Sequence, residues 1–142
     1  MIPFSVRIRE GASLYQQVIY AAKKAIVSGN LRPGDLFPSV RALSRELKIN
    51  PNTAHKIVAH LVGTGLLETK QGVGTIVAMI PAASPAERAE LLGREIEELV
   101  VEAKRLGLEL PDMISSVSKQ WKQLADKSGL EGRPDQEGSR KR

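Results

Sequence analysis

A mainly α fold with a small β element is what this sequence predicts. Leu, Val, Ile and Ala dominate an apolar fraction of 42%, against two Phe, two Tyr and one Trp, which suits compact helical packing. Residues 38–60 read as two short helices joined by a tight turn, each with a recognisable start. Just beyond them, a glycine-bearing turn at 71–74 separates two short runs of strand formers. Three helices followed by a hairpin describe a winged helix-turn-helix. The 142 residues therefore divide into this domain at 1–80, a two-helix dimerisation region at 81–128, and a polar tail at 129–142 expected to be disordered.

Each element has a local reason. Phe4, Val6 and Ile8 alternate with Ser5, Arg7 and Arg9, the two-residue period of a half-buried strand that could pair onto the wing. Ser13 with Gln16 reads as a capping box, and Leu14, Val18, Ala22, Ala25 and Ile26 give the stripe of a helix stopping near Gly29. Arg32-Pro33-Gly34-Asp35 is a turn, since Pro fixes one backbone angle and Gly permits a positive one. Pro38-Ser39 opens the second helix, which faces Leu43 and Leu47 to the core, and residues 46–50 turn into the third. There Asn50 is the N-cap and Pro51 the first helical residue, where no N–H is required. The third helix ends around Gly63-Thr64-Gly65.

After the linker at 80–85, Ser84-Pro85 can start another helix. Leu92, Ile96, Leu99, Ala103 and Leu106 recur at alternating spacings of four and three, a narrow apolar seam ended by Gly107. Pro111 opens a second such helix, with Ile114, Val117, Trp121 and Leu124 as its stripe. Two amphipathic helices cannot bury both seams alone, and a second copy of the chain is the simplest cover.

Charge and composition narrow the function. Residues 1–80 hold ten Lys/Arg against four Asp/Glu, whereas 81–128 hold seven against nine, within a net charge of +5. The basic part is thus the part with the helix-turn-helix pattern, and such a field favours a polyanion. The absence of Cys removes disulfides, thiolate nucleophiles and cysteine-rich zinc sites and fits a reducing cytoplasm. No basic-then-apolar leader and no membrane-length apolar run is visible, so neither a signal peptide nor a membrane partner is expected. His55 and His60 are five apart, which does not put both on one helix face, so no metal is expected. Gly72-Val73-Gly74 lacks the pattern of a phosphate loop, and no nucleophile lies beside a base. Neither an enzyme nor a cofactor is indicated.

The third helix is the informative one. Its first turns display Asn50, Asn52, Thr53, His55 and Lys56, while Ala54, Ile57, Val58 and Leu61 form the apolar face. A helix with a short, polar, donor-rich amino end is what the DNA major groove accepts. A protein-interaction module and a nonspecific architectural DNA binder are the alternatives that these residues leave open.

With these segments in view, the chain resembles the GntR family of bacterial transcription regulators. The resemblance rests on Leu14-Tyr15-Gln16-Gln17, residues 29–35, Pro38-Ser39-Val40-Arg41-Ala42-Leu43, Asn50-Pro51-Asn52-Thr53, Gly65-Leu66-Leu67-Glu68 and Gly72-Val73-Gly74-Thr75. The short C-terminal part and the Asn-Pro-Asn-Thr sequence resemble the YtrA-type subfamily, whose members are usually homodimeric repressors. The resemblance implies that Arg41 reaches a guanine edge or a nearby phosphate and that Asn50, Asn52, Thr53, His55 and Lys56 stand at the groove. It also implies that Gly72, at the wing tip, approaches the minor groove. The expected DNA-binding set is Ser39, Arg41, Asn50, Pro51, Asn52, Thr53, His55, Lys56, Lys70, Gln71 and Gly72, on a double-stranded operator. One departure concerns Lys48, where the family often has Gly; a positive φ there would cost on the order of 1 kcal/mol. A small-molecule effector, should the chain use one, is expected between the dimer helices or between them and the DNA-binding part. One subunit's two helices are too slight to enclose a pocket of ~300 Å³.

Overall fold

The computed structural model describes residues 2–129, which pack as two units, one through Pro81 and the other over Ala82–Asp126. In the first, α1 (Leu14–Val27) starts where the Ser13 hydroxyl accepts the Gln16 N–H at 3.2 Å. The return bond of the expected capping box is not formed by Gln16. Instead the Gln17 carboxamide accepts the Arg9 N–H at 2.8 Å and donates to the Arg9 and Ala12 carbonyls at 3.1 and 3.0 Å. The chain entering the helix is thereby tied to it. Val18, Ala22, Ala25 and Ile26 are buried as the spacing predicts, joined by Ile19.

The N-terminal segment corrects one expectation. Phe4 and Val6 do turn inward, with the Phe4 ring stacked on Phe37 at 5.7 Å, but residues 4–8 form no strand and Ile8 stays exposed. Residues 34–37, not the N-terminal segment, occupy the outer edge of the wing's second strand, Gly74–Val77. Gly34 N–H donates to Val77 O, Val77 N–H to Asp35 O and Phe37 N–H to Thr75 O, each at 2.8 Å. The turn at 32–35 delivers that segment already extended. Gly34 has φ +94°, and the Arg32 N–H is held by the Asp35 carboxylate at 2.8 Å. With the edge filled, Phe4 and Val6 are left to side-chain packing alone.

Helix α2 (Val40–Leu47) is capped by Ser39, whose hydroxyl accepts the Ala42 N–H at 3.1 Å. It ends at Lys48, which adopts φ 55°, ψ 49° and is the one non-glycine residue with positive φ among those described. Ser44 secures this turn. Its carbonyl accepts the Lys48 N–H and, at 3.1 Å, the Ile49 N–H, while its hydroxyl donates to the Ile49 carbonyl at 2.7 Å. Ile49 is thereby driven into the core. Two residues on, α3 (Pro51–Gly63) begins and buries Ala54, Ile57 and Leu61.

Helix α3 closes with paired bonds, Gly65 N–H to Val62 O and Leu66 N–H to Leu61 O, both 3.0 Å. This is a Schellman stop, and it needs the φ of +85° that Gly65 supplies. Strands β1 (Leu67–Lys70) and β2 (Gly74–Val77) then pair antiparallel, Leu67 opposite Val77 and Lys70 opposite Gly74. Leu67, Ile76 and Val77 anchor the hairpin's base while its tip stays exposed.

The second unit opens with α4 (Pro85–Glu90), where a full capping box forms. Ser84 accepts the Glu87 N–H at 3.1 Å and the Glu87 carboxylate accepts the Ser84 N–H at 2.9 Å. The single helix read from the seam runs on through residues 85–105 but changes its winding on the way. A π turn at Leu91–Glu95, containing Gly93, separates α4 from α5 (Ile96–Arg105). Arg94 spans the turn, paired with Glu90 and, at 2.8 Å, with Glu98. Helix α5 ends in another Schellman stop, with Gly107 N–H to Lys104 O at 3.1 Å and Leu108 N–H to Ala103 O at 3.0 Å. Helix α6 (Leu110–Gly129) follows. Ala103, counted above with the seam, is instead 5% exposed and so packs inside the chain, beside the bond that Leu108 makes to it. Its seam-mates are exposed, Leu92 at 66% and Trp121 at 75% among them, whereas Leu124 is half-buried. Apart from Gly129, which closes α6, the tail lies outside the described residues.

Stability should respond to the turn at Lys48. Lys48→Gly is expected to stabilise the protein by about 1 kcal/mol by removing the left-handed penalty. Ser44→Ala should cost about 1 kcal/mol by orphaning the Ile49 carbonyl. Urea melts read both. The exposed Glu102 carboxyl sits below the usual carboxylate range because Arg105 donates to it. The small stabilisation from that pair is present at neutral pH and fades as pH falls through the carboxylate range; a pH series of melts on Arg105→Ala should show the difference from wild type vanish in acid.

Candidate nucleic-acid interface

The outward face of α3 follows from its inward one. At 100° per residue, Asn52, Lys56, Ala59 and Gly63 fall opposite buried Ala54, Ile57 and Leu61. All four are exposed, so the strip runs polar and basic at the amino end and small beyond it. His55 is exposed beside this strip and Thr53 is half-buried at its margin. His60 is engaged elsewhere, edge-on to Tyr15 of α1 at 6.1 Å. The side chains that could reach a ligand are therefore concentrated in the first two turns.

Asn50 has two roles available to it. Its Oδ1 accepts the Asn52 N–H at 2.7 Å, which caps the helix. The Nδ2 group remains a donor facing solvent. Pro51 occupies the first turn exposed, without an N–H to satisfy. Neither α2 nor α3 carries an acidic residue in its first turn, unlike α4, α5 and α6. The partial positive charge of these two amino ends is thus uncompensated by the chain and available to an anion.

Arg41 sits in the first turn of α2, exposed and opposite buried Leu43, next to the capping Ser39. Helices α2 and α3 pack against each other. Arg45 stands one turn beyond Arg41 on the same exposed face, and Lys48 is exposed where the helix ends. Sequence reading passed over Ser44, Arg45 and Lys48 as site residues. The i, i+4 spacing of Arg41 and Arg45 was the available signal, whereas Ser44's part in the turn appears only in three dimensions. At the wing, Lys70, Gln71 and Gly72 are exposed, and Val73 N–H bonds Lys70 O at 3.0 Å across the tip. A Cβ on Gly72 would meet nothing within 4 Å, so its φ of +80° is the reason for glycine.

Three helices, a tight turn between the second and third, and a hairpin wing define a winged helix-turn-helix DNA-binding domain. Residues 14–77 match the family described as bacterial regulatory proteins, gntR family. The HTH-type transcriptional repressor YtrA of Bacillus subtilis (strain 168) is 31% identical over 103 residues, 72% of this chain and 79% of that protein. The uncharacterized HTH-type transcriptional regulator YhcF of the same strain is 33% identical over 105 residues, 73% and 86% of the two chains. The chain belongs to the GntR family of transcriptional regulators, among its YtrA-type members. A crystal structure of a transcriptional antiterminator from Listeria monocytogenes EGD-e shares the fold, with TM-score 0.74 at 23% identity over 85% of this chain and 91% of the other. Among the described residues, no helix is long and apolar enough to cross a membrane.

The cap makes a separable prediction. Asn50→Ala should lower stability by about 1 kcal/mol, whereas Asn50→Asp, which keeps the accepting oxygen, should melt close to wild type. Thermal or urea melts of the two variants check it.

Proposed function

We propose that the protein is a homodimeric transcriptional repressor that binds an inverted-repeat DNA operator. The observation carrying this reading is the outward strip of α3, Asn52, Lys56 and Ala59, on a helix with an uncompensated amino end. A helix about 10–12 Å across matches a major groove about 12 Å wide. Asn offers bidentate bonding to adenine and Arg41 to guanine or phosphate. Ala59 lets the rod seat closely, and the small Gly72 tip brings Lys70 and Gln71 beside the backbone.

Dimerisation accounts for the second unit. Leu92, Leu99, Leu106, Ile114, Val117 and Trp121 are exposed in a single chain, more apolar surface than a soluble monomer ordinarily leaves bare. A second copy covering α5 and α6 would present two α3 helices to half-sites about one helical turn apart or somewhat more. The repressor assignment follows the name of the relative YtrA.

Footprinting on the DNA upstream of the chain's own gene tests the whole reading: two symmetrical half-sites bound by a dimer are expected. A single unsymmetrical site bound by a monomer would reject it. Arg41→Ala should lose roughly 1–3 kcal/mol of specific affinity while sedimenting as wild type. Asn50→Asp, folded as stably as wild type, should also bind more weakly, because it loses a donor and gains a negative charge beside phosphates.

A further inference from the structure

The turn between α2 and α3 contains a conflict. Lys48 holds φ 55°, a conformation glycine adopts freely and a lysine does not, with its side chain exposed. The bonds that fix the turn all come from backbone and from Ser44, so the lysine side chain contributes nothing to holding it. It makes no ion pair or side-chain hydrogen bond among the described residues. Strained positions of this kind concentrate where function needs them. The left-handed backbone makes the turn, but the choice of lysine over glycine there has no return within the fold.

We infer that Lys48 is a phosphate-contacting residue, holding the DNA backbone at the edge of the groove that α3 enters. Lys48 lies two residues before Asn50, the cap of that helix, so the turn travels with the end of α3 proposed to reach base edges. The α2 face leading to it already carries Arg41 and Arg45, exposed one turn apart, and likewise without a partner among the described residues. The acidic residue between Arg45 and Lys48, Glu46, has interactions of its own. In a helix-turn-helix the first helix crosses the sugar-phosphate backbone, which gives this basic edge an anionic counterpart. A flexible ammonium on four carbons serves as a point charge against phosphate without demanding a fixed geometry. The inference rests on the DNA-binding reading above and adds to it a residue that carries affinity but no sequence preference.

Charge and backbone strain make opposite demands at one position, which gives the test. Wild type, Lys48→Gly, Lys48→Asn and Lys48→Arg are compared by melting and by titration of operator and unrelated duplex DNA across a salt series. Lys48→Gly should melt higher than wild type yet bind both duplexes about three- to tenfold more weakly, with a salt slope shallower by about 1.8, since a dimer loses two phosphate contacts. Lys48→Asn, neutral but tolerant of this backbone, should show the same affinity loss and slope, and Lys48→Arg should retain wild-type values. Wild-type affinity and slope in Lys48→Gly and Lys48→Asn would overturn the inference while leaving the operator reading intact. A loss confined to the operator would also overturn it, because a phosphate contact weakens every sequence alike. Failure of the wild type itself to bind operator DNA would fell the DNA-binding reading, and this inference with it.

Discussion

Ser44 sets the relation between the two helices that matter most. Its carbonyl gathers the N–H groups of Lys48 and Ile49, and its hydroxyl returns a bond to the Ile49 carbonyl. The chain must therefore reverse within the space of Lys48 and Ile49, and Ile49 must enter the core. Everything downstream inherits that direction: α3 leaves the turn with Ala54, Ile57 and Leu61 inward and its polar strip outward. A looser turn would let α3 roll, and a rotation of one residue would exchange Lys56 for Ile57 on the outer face. The left-handed backbone at Lys48 is the local cost of that tightness.

Backbone bonds do a similar service for the wing. Residues 34–37 lie along β2 and feed straight into Pro38 and the Ser39 cap, so hairpin and α2 share one continuous support. Leu67, Ile76 and Val77 are buried at the base, and the polar tip is free of packing duties. The same division recurs in α3, whose cap, apolar face and Schellman stop are satisfied internally. Arg41, Lys56 and Lys70 are thereby left exposed on a framework that does not need them.

The second unit has the opposite economy. Its order comes from within: the Ser84–Glu87 box, the Arg94 pairs across the π turn and the Gly107 stop. Exposed ion pairs of this kind contribute little. Its apolar residues gain almost nothing from the single chain, since only Ala103 is buried among those described. Helices so well capped and so poorly covered are what the proposed dimer would explain.

Much of this was legible from residue order because it is local. The caps at Ser13, Ser39, Asn50 and Ser84, the turn at Pro33-Gly34 and the stripes of α1 and α3 depend on neighbours within four residues, and spacing displays them directly. What depended on distant neighbours was not legible. Alternation in Phe4, Val6 and Ile8 describes a segment with one buried side, but a strand also needs backbone partners, and along β2 residues 34–37 had taken them. The regular seam from Leu92 to Leu106 counts residues without counting turns, so it could not reveal that Leu91–Glu95 winds wider or that Ala103 is covered. The sequence by itself determined which faces are polar, because amphipathic spacing is a property of one helix. Only the tertiary structure decided how those faces are aimed, because aim is set by which backbone groups meet across the chain.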